Sequence, residues 1–312
     1  MAQDWPRLDW PEWRETAQHL HLITQMLGKA RLARTPWLNH SWHVTLYPTA
    51  SGLTTGPIPT EGATIQLDLD LIHGKLRGTS DHGDVATIDI GPGTIADFHF
   101  DLTGIILAGG LGVDIPITPL PSELPDPIPF PEDRRERPWD ADAVRRFHRA
   151  LLLATRSFQR FRTGFLGKAS PVHFFWGSFD LAVTRFSGRA APRHPGGVPN
   201  LPDSVTCEAY SHEEASAGFW PGSDAFPTPV FYAYGYPAPP GYAEAAIPAP
   251  ARYDAAMGEW LLDYDAVRTA PDPEAMLAGF LQATYEAAAD LGGWDRAALD
   301  CPTGVPRRPR TV

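Results

Sequence analysis

Proline stands at positions 119, 121, 125, 127, 129 and 131. No helix interior or central strand tolerates that spacing, because each proline lacks a backbone N–H and restricts the residue before it. The segment therefore runs extended and divides the sequence into two stretches with their own periodicities. The expected organisation is a first α+β half over 1–118, a Pro-rich connector over 119–139, a second α+β half over 140–301 and a flexible tail over 302–312. With 43% hydrophobic residues among 312, the chain can bury a large core.

In the first half, Leu20, Ile23, Leu27 and Ala30 recur at helical spacing and predict a helix over 15–32, ended by Pro36. Residues 38–47 alternate and are rich in β-branched and aromatic side chains, which predicts a strand. Strands over 64–72 and 85–90, a helix over 94–107 and a strand over 113–118 follow. The second half opens with a helix over 141–165, whose Val144, Phe147, Leu151, Ala154, Phe158 and Phe161 form one apolar stripe. A strand over 172–186, a short helix over 204–216, strands over 230–236 and 259–264 and a helix over 273–291 complete it. Pro273 suits the first turn of that last helix, where no donor is lost.

The two halves open alike. Leu27-Gly28-Lys29-Ala30 matches Leu166-Gly167-Lys168-Ala169, and each quartet precedes a proline, a segment with His and Trp, and a Ser-Gly pair. The fold class expected is α+β, with two pseudo-repeated helix–antiparallel-strands–helix halves packed around a shared pocket. Such a junction is a natural place for a small-molecule ligand.

Lys and Arg number 26 against 37 Asp and Glu, and the formal charge of −11 opposes binding to a phosphate backbone. No apolar stretch approaches the length of a membrane span. Cys207 and Cys301 are too few for a disulfide scaffold or a four-thiolate zinc site and agree with a reducing compartment. The first thirteen residues mix acidic groups with tryptophans, unlike a signal or transit peptide. A cytoplasmic protein that binds neither nucleic acid nor membrane is expected. The sequence names no cofactor and no oligomeric state.

On the first helix His21, Gln25 and Lys29 stack on one face, either facing water or lining a cavity. The alternation over 38–47 adds Asn39 and His43 to a polar wall. The densest cluster lies in 170–185, with His173, Trp176, Asp180 and Arg185; Gly177 within it suggests a bulge that would turn His173 and Asp180 to one face. Glu208 and His212 fall four apart on the predicted short helix, with Glu213 beside them. His173, Asp180, His212 and Glu213 together could form an acid–base group or a metal site, and as isolated residues they could equally be hydrogen-bonded core and surface groups. Arg185 would anchor an anionic group, with His21, Gln25, Lys29, Asn39, His43 and Trp176 as substrate-binding residues. Tyr232, Tyr234 and Tyr236 fall on one strand face, as an aromatic wall or a packing ladder.

Familiar signatures are missing. Gly91, Gly93 and Ala96 only imitate a dinucleotide fingerprint, and neither a complete phosphate-binding loop, a His-Glu-x-x-His nor a Gly-x-Ser-x-Gly elbow is present.

The runs Thr35-Pro36-Trp37, Asn39-His40, 42–47, 171–188, 194–203 and 209–213 resemble an uncharacterised bacterial domain-of-unknown-function family, known largely from actinobacteria, proteobacteria and cyanobacteria, over nearly the whole chain. The resemblance implies a bacterial cytoplasmic protein and transfers no catalytic role. His99 and the glycines at 91 and 93 depart from its pattern, which further weakens a dinucleotide reading. The expectation is a small-molecule enzyme using His, Asp and Glu for acid–base or metal chemistry. The alternative is a non-catalytic small-ligand binder, and a third reading makes the tryptophan-rich N-terminus and the connector a protein-contact surface.

Overall fold

The computed structural model describes residues 4–108, 116–122, 124, 127–198 and 200–310. The first half contains α1 (Trp10–Arg34), β1 (Tyr47–Pro48), β2 (Gly52–Pro59), β3 (Thr64–Asp70), β4 (Lys75–Ser80), β5 (Val85–Asp89) and α2 (Ile95–Ala108). The second contains α3 (Ala141–Arg162), β6 (His173–Phe175), β7 (Asp180–Ala190), α4 (Asp203–Ala209), β8 (His212–Trp220), β9 (Val230–Tyr236), β10 (Arg252–Asp254), β11 (Glu259–Asp263), α5 (Tyr264–Thr269), α6 (Pro273–Leu291) and α7 (Arg296–Leu299). The fold is α+β. β1 to β5 form an antiparallel meander in chain order, and the second sheet is antiparallel in the order β10-β11-β9-β8-β7-β6. Leu46, just before β1, exchanges both backbone hydrogen bonds with Phe174 of β6 (2.9 and 2.7 Å), so the sheets meet edge to edge.

α3 forms where its stripe predicts. Asp140 caps it by accepting from the backbone N–H of Asp142 and Ala143 at 3.0 and 2.9 Å. Its buried Val144, Phe147, Leu151 and Phe158 join the core that includes Leu181, Val183, Phe219 and Phe231 of the second sheet. Each such side chain contributes about 1.5–3 kcal/mol by leaving water.

From His19 to Arg31 α1 is buried on every side, including His19, His21, Thr24, Gln25 and Lys29. Polar groups so placed must find partners. Lys29 Nζ donates to the carbonyl of Leu120 (2.7 Å) and Gln25 Nε2 to that of Pro121 (2.9 Å). His21 Nε2, facing the carbonyl of Gly177 at 3.2 Å, is its donor. The row expected to face water or a pocket thus grips the proline connector and the β6–β7 turn. The turn returns the contact: Trp176 donates its indole N–H to the Val44 carbonyl (2.9 Å), and its ring lies against Gly28, where a Cβ would fall inside the indole.

Several local expectations change. Of residues 38–47 only the end is strand, with Leu46 in the bridge and Tyr47 in β1: Asn39–Ser41 is a 3₁₀ turn in which His40 and Ser41 take φ of 58° and 56°. Tertiary bonds override the alternation there, since His40 and Trp37 are bonded to Ala209 and Glu208 of the other half. The strand over 172–186 is a hairpin that turns at 176–179, with no bulge at Gly177; Phe179 takes φ 59°. The helix over 204–216 stops at Ala209, and His212 opens β8. β2, β4 and β10 escaped prediction; Pro57 and Pro59 disguise β2, which accommodates a register shift between Thr54 and Pro57. Half of the strand expected over 113–118 lies outside the described residues, and the other half, 116–118, is not a strand. The matching quartets occupy unlike places, Leu27–Ala30 inside α1 and Leu166–Ala169 after α3. Trp5, Trp10 and Trp13 are buried, so these tryptophans are core residues and not an exposed contact surface. The expected flexible tail folds back, with Gly304 N bonded to Thr163 Oγ1 at 2.9 Å and Arg310 Nη1 to the Thr163 carbonyl at 2.5 Å.

Gly28→Ala should lower stability by about 1–3 kcal/mol through overpacking against Trp176. Gly279→Ala, in the middle of α6 with open space around its Cα, should be neutral or stabilising by about 0.5–1 kcal/mol. Urea denaturation midpoints of the two variants check both; equal effects would refute the close Gly28–Trp176 packing.

Candidate functional site

The register of β7, β8 and β9 sorts their side chains onto two faces. Ala182, Gly218 and Tyr232 align across the strands, as do Thr184, Ser216 and Tyr234, and Phe186, Glu214 and Tyr236. These rows share one face; the intervening residues, including Leu181, Val183 and Arg185, point to the opposite, helix-covered face. The first face is polar. Thr184 Oγ1 and Ser216 Oγ share a hydrogen bond of 2.9 Å. Tyr232 lies over Gly218, where a Cβ would collide with its ring, and donates its hydroxyl to the Asp180 carboxylate, which also accepts from Ser178. Burial nevertheless raises the Asp180 pKa above the usual carboxylate range.

Rings line this face further along. Tyr232 and Tyr234 stack with centroids 6.3 Å apart, Tyr210 packs on Tyr236 at 4.8 Å, and His194 stacks on Tyr210 at 4.8 Å. Next to them Glu214 is 6% exposed. Burial pushes its pKa up to about 8, while a bond from Tyr234 and the charge of Lys168 oppose the rise.

Here the two halves meet. Lys168 Nζ lies 2.7 Å from His40 Nε2, and His40 Nδ1 lies 2.7 Å from the Ala209 carbonyl. A carbonyl only accepts, so Nδ1 carries the proton and Nε2 accepts from the ammonium. His40 packs on Phe186 (4.5 Å) and Trp42 (5.4 Å), with the His212 ring 5.8 Å away. Lys168 Nζ sits over the Trp42 and Phe186 rings at 5.1 and 4.9 Å. Desolvation lowers the pKa of both Lys168 and His40. Lys168 itself is exposed, so the group opens to solvent.

Of the four residues expected to do chemistry, His173, Asp180 and His212 belong to this face and Glu213 does not. His173 is sealed at 1% exposure; its Nδ1 bonds Thr45 Oγ1 at 3.2 Å, and burial holds its pKa down to about 3. His212 Nδ1 lies 3.0 Å from Ser211 Oγ. Glu213, one residue out of phase, pairs with Arg189 (2.5 Å) and Ser187 (2.9 Å). Glu208 accepts from the Trp37 indole at 2.9 Å rather than stacking with His212 on a helix. Among the described residues no three or more His, Cys, Asp or Glu side chains are grouped to hold a metal ion.

The substrate-binding expectations scatter. His21, Gln25 and Lys29 grip backbone carbonyls, and Trp176 packs on Gly28. Asn39 sits in the 3₁₀ turn. His43 is buried, with Nδ1 3.2 Å from the Leu38 carbonyl and its ring on Trp37 at 4.6 Å. Arg185 points away, to the helix-covered face. Glu214, His40, Lys168 and Tyr210 escaped sequence reasoning. Period-2 alternation from His212 would have aligned Glu214 and Ser216 with it, had 212–220 been read as a strand.

The profile of a family of unknown function, DUF5996, matches residues 5–301 of the chain. No curated protein and no solved structure matches it.

The Glu214 carboxyl titrates at about 8 in the fold against an ordinary value of 4.5. A raised folded-state pKa means that the protonated group's contribution is complete below 4.5 and is lost as pH rises towards 8. Glu214→Gln keeps the shape without the charge, so its stability relative to wild type should climb across that window, by on the order of a few kcal/mol, and level off above it. Denaturation midpoints from pH 4.5 to 9 measure this; parallel curves would show that the carboxyl ionises freely.

Proposed function

This chain belongs to the DUF5996 family, and we propose that it is an enzyme acting by acid–base chemistry on a small molecule bound where the two halves meet. The observation that carries the reading is the buried Glu214 carboxyl beside the Lys168–His40 pair, at a point open to solvent. A carboxyl that keeps its proton to about 8 can donate it near neutral pH and take it back. Lys168, held by His40 and flanked by Trp42 and Phe186, would attract an anionic group. Tyr210, Tyr234 and Tyr236 would pack against a planar or sugar-like body. His212 stands beside His40 and would contact the ligand from the β8 end. Acid–base rather than metal chemistry is favoured because the ligating side chains of the described residues are dispersed. His40 and Trp42 enter from the first half and the remainder from the second, in keeping with a pocket shared between halves that descend from a duplication; each half opens with a helix, continues into an antiparallel sheet and closes on helix, although the second sheet is not a simple meander.

A non-catalytic binder is the second reading, favoured by the stacked tyrosines, whose pKa values lie above the ordinary range and which hold their protons.

Incubation with pooled bacterial metabolites and mass-spectrometric detection of consumed and formed species separates the two. Turnover lost in Glu214→Gln, by about 100-fold or more, with ligand-induced thermal shifts retained, supports the enzyme. Thermal shifts without turnover in wild type, lost in Lys168→Met, support the binder. Turnover or shifts that survive both substitutions unchanged would overturn this location.

A further inference from the structure

A cavity of about 820 Å³ lies on the opposite side of the second sheet, between α3, α6 and the C-terminal segment, with Arg160, Gly164, Arg185 and Thr303 among its walls. We propose that it binds a phosphate- or carboxylate-bearing small molecule, its anionic end towards Arg185 at the floor and Arg160 at the rim.

Arg185 is 1% exposed. Its guanidinium lies over the rings of Phe161 (3.5 Å) and Tyr285 (4.3 Å), and Nη2 donates to the Phe161 carbonyl. Nε and Nη1 have no hydrogen-bond partner. A buried cation with unused donors is costly unless an anion compensates it. The neighbouring carboxylates are committed elsewhere. Asp300 accepts from Tyr285 at 2.5 Å and Arg296 at 2.8 Å; Glu274 pairs with Arg156 at 3.2 Å; Asp272 caps α6 through Ala275 N at 2.9 Å. Arg160 makes no ion pair among the described residues. Although Asp300 also acts on Arg185 through its charge, the unused donors of Arg185 and the unpaired Arg160 are left to meet an anion, which would gain from both arginines.

Two details favour an organic ligand. The volume falls within the range of pockets that enclose whole small molecules, well beyond a lone inorganic anion. Gly164 keeps the approach open, since a Cβ there would stand 3.4 Å from Arg185 Nη2. Thr184 and Arg185 are neighbours on β7 and point to opposite faces, so this cavity and the Lys168–Glu214 site are separate and can be tested separately.

Isothermal titration of the full chain with inorganic phosphate, malonate and ribose 5-phosphate, at constant ionic strength set with chloride, tests the proposal. An anion site that persists in Lys168→Met should appear, tighter for ribose 5-phosphate than for phosphate if a phosphorylated molecule is the ligand, and tightest for malonate if a carboxylate is. Arg160→Ala, at an exposed position, should keep the wild-type melting temperature and weaken binding about tenfold, the loss of one charge-assisted hydrogen bond. Arg185→Gln should abolish binding; if that variant does not fold, the Arg160→Ala result decides alone. Lys168→Met should leave this binding intact. Absence of binding by wild type at millimolar concentrations, binding unaffected by Arg160→Ala, or binding lost instead in Lys168→Met would each overturn the proposal.

Discussion

The fold depends on a row of polar side chains buried inside its central helix. α1 has no face turned to solvent over most of its length, so His21, Gln25 and Lys29 bond to the carbonyls of Gly177, Pro121 and Leu120. Those carbonyls belong to the two segments least able to satisfy themselves: a proline connector with few donors, and a tight hairpin turn. One helix face thus secures the connector and the start of the second sheet. Gly28 lets the Trp176 indole lie flat on the same helix, and Trp176 in turn bonds the Val44 carbonyl next to the bridge at Leu46 and Phe174. A donor row that reads as a candidate pocket wall is consumed in joining the halves.

With the halves joined, strand alternation in the second sheet separates two chemistries. Thr184 and Arg185 leave β7 in opposite directions. The helix-covered side receives an arginine surrounded by rings, and the other receives Asp180, Thr184, Ser216, Glu214 and the tyrosines. Lys168 and His40 close the polar side from two loops remote in sequence. Burial shifts the groups of the polar side: the carboxyls of Asp180 and Glu214 rise, while the imidazoles of His40 and His173 fall. Of these, the Glu214 carboxyl, held protonated to about 8 beside Lys168, is the one able to exchange its proton near pH 7.

Much of the secondary structure was legible because long amphipathic stretches constrain themselves. The stripe of α3, the proline start of α6 and the alternation of β9 each point to one answer whatever lies around them. The site was only partly legible. His173, Asp180 and His212 do share a face, for reasons other than those the spacing suggests: a hairpin at 176–179 replaces a bulge, and a strand replaces a helix at 212. That replacement moves the acidic residue from Glu213 to Glu214, because a strand turns each successive side chain to the other face. His40 could not be found by periodicity, since its backbone is in a turn and its partners, Lys168 and Ala209, are distant in sequence.

That the chain is α+β, that a proline segment separates two helix-and-strand stretches, and that its charge opposes broad contact with phosphate backbones were all readable from the residues alone. Those properties follow from local sterics and from composition, which act before any long-range contact forms. Tertiary packing sets which polar residues are spent on holding the halves together and which are not. Hydrogen-bond partners across α1, the connector and the sheets are set by packing, and a buried Lys and an exposed one look alike until their neighbours are in place.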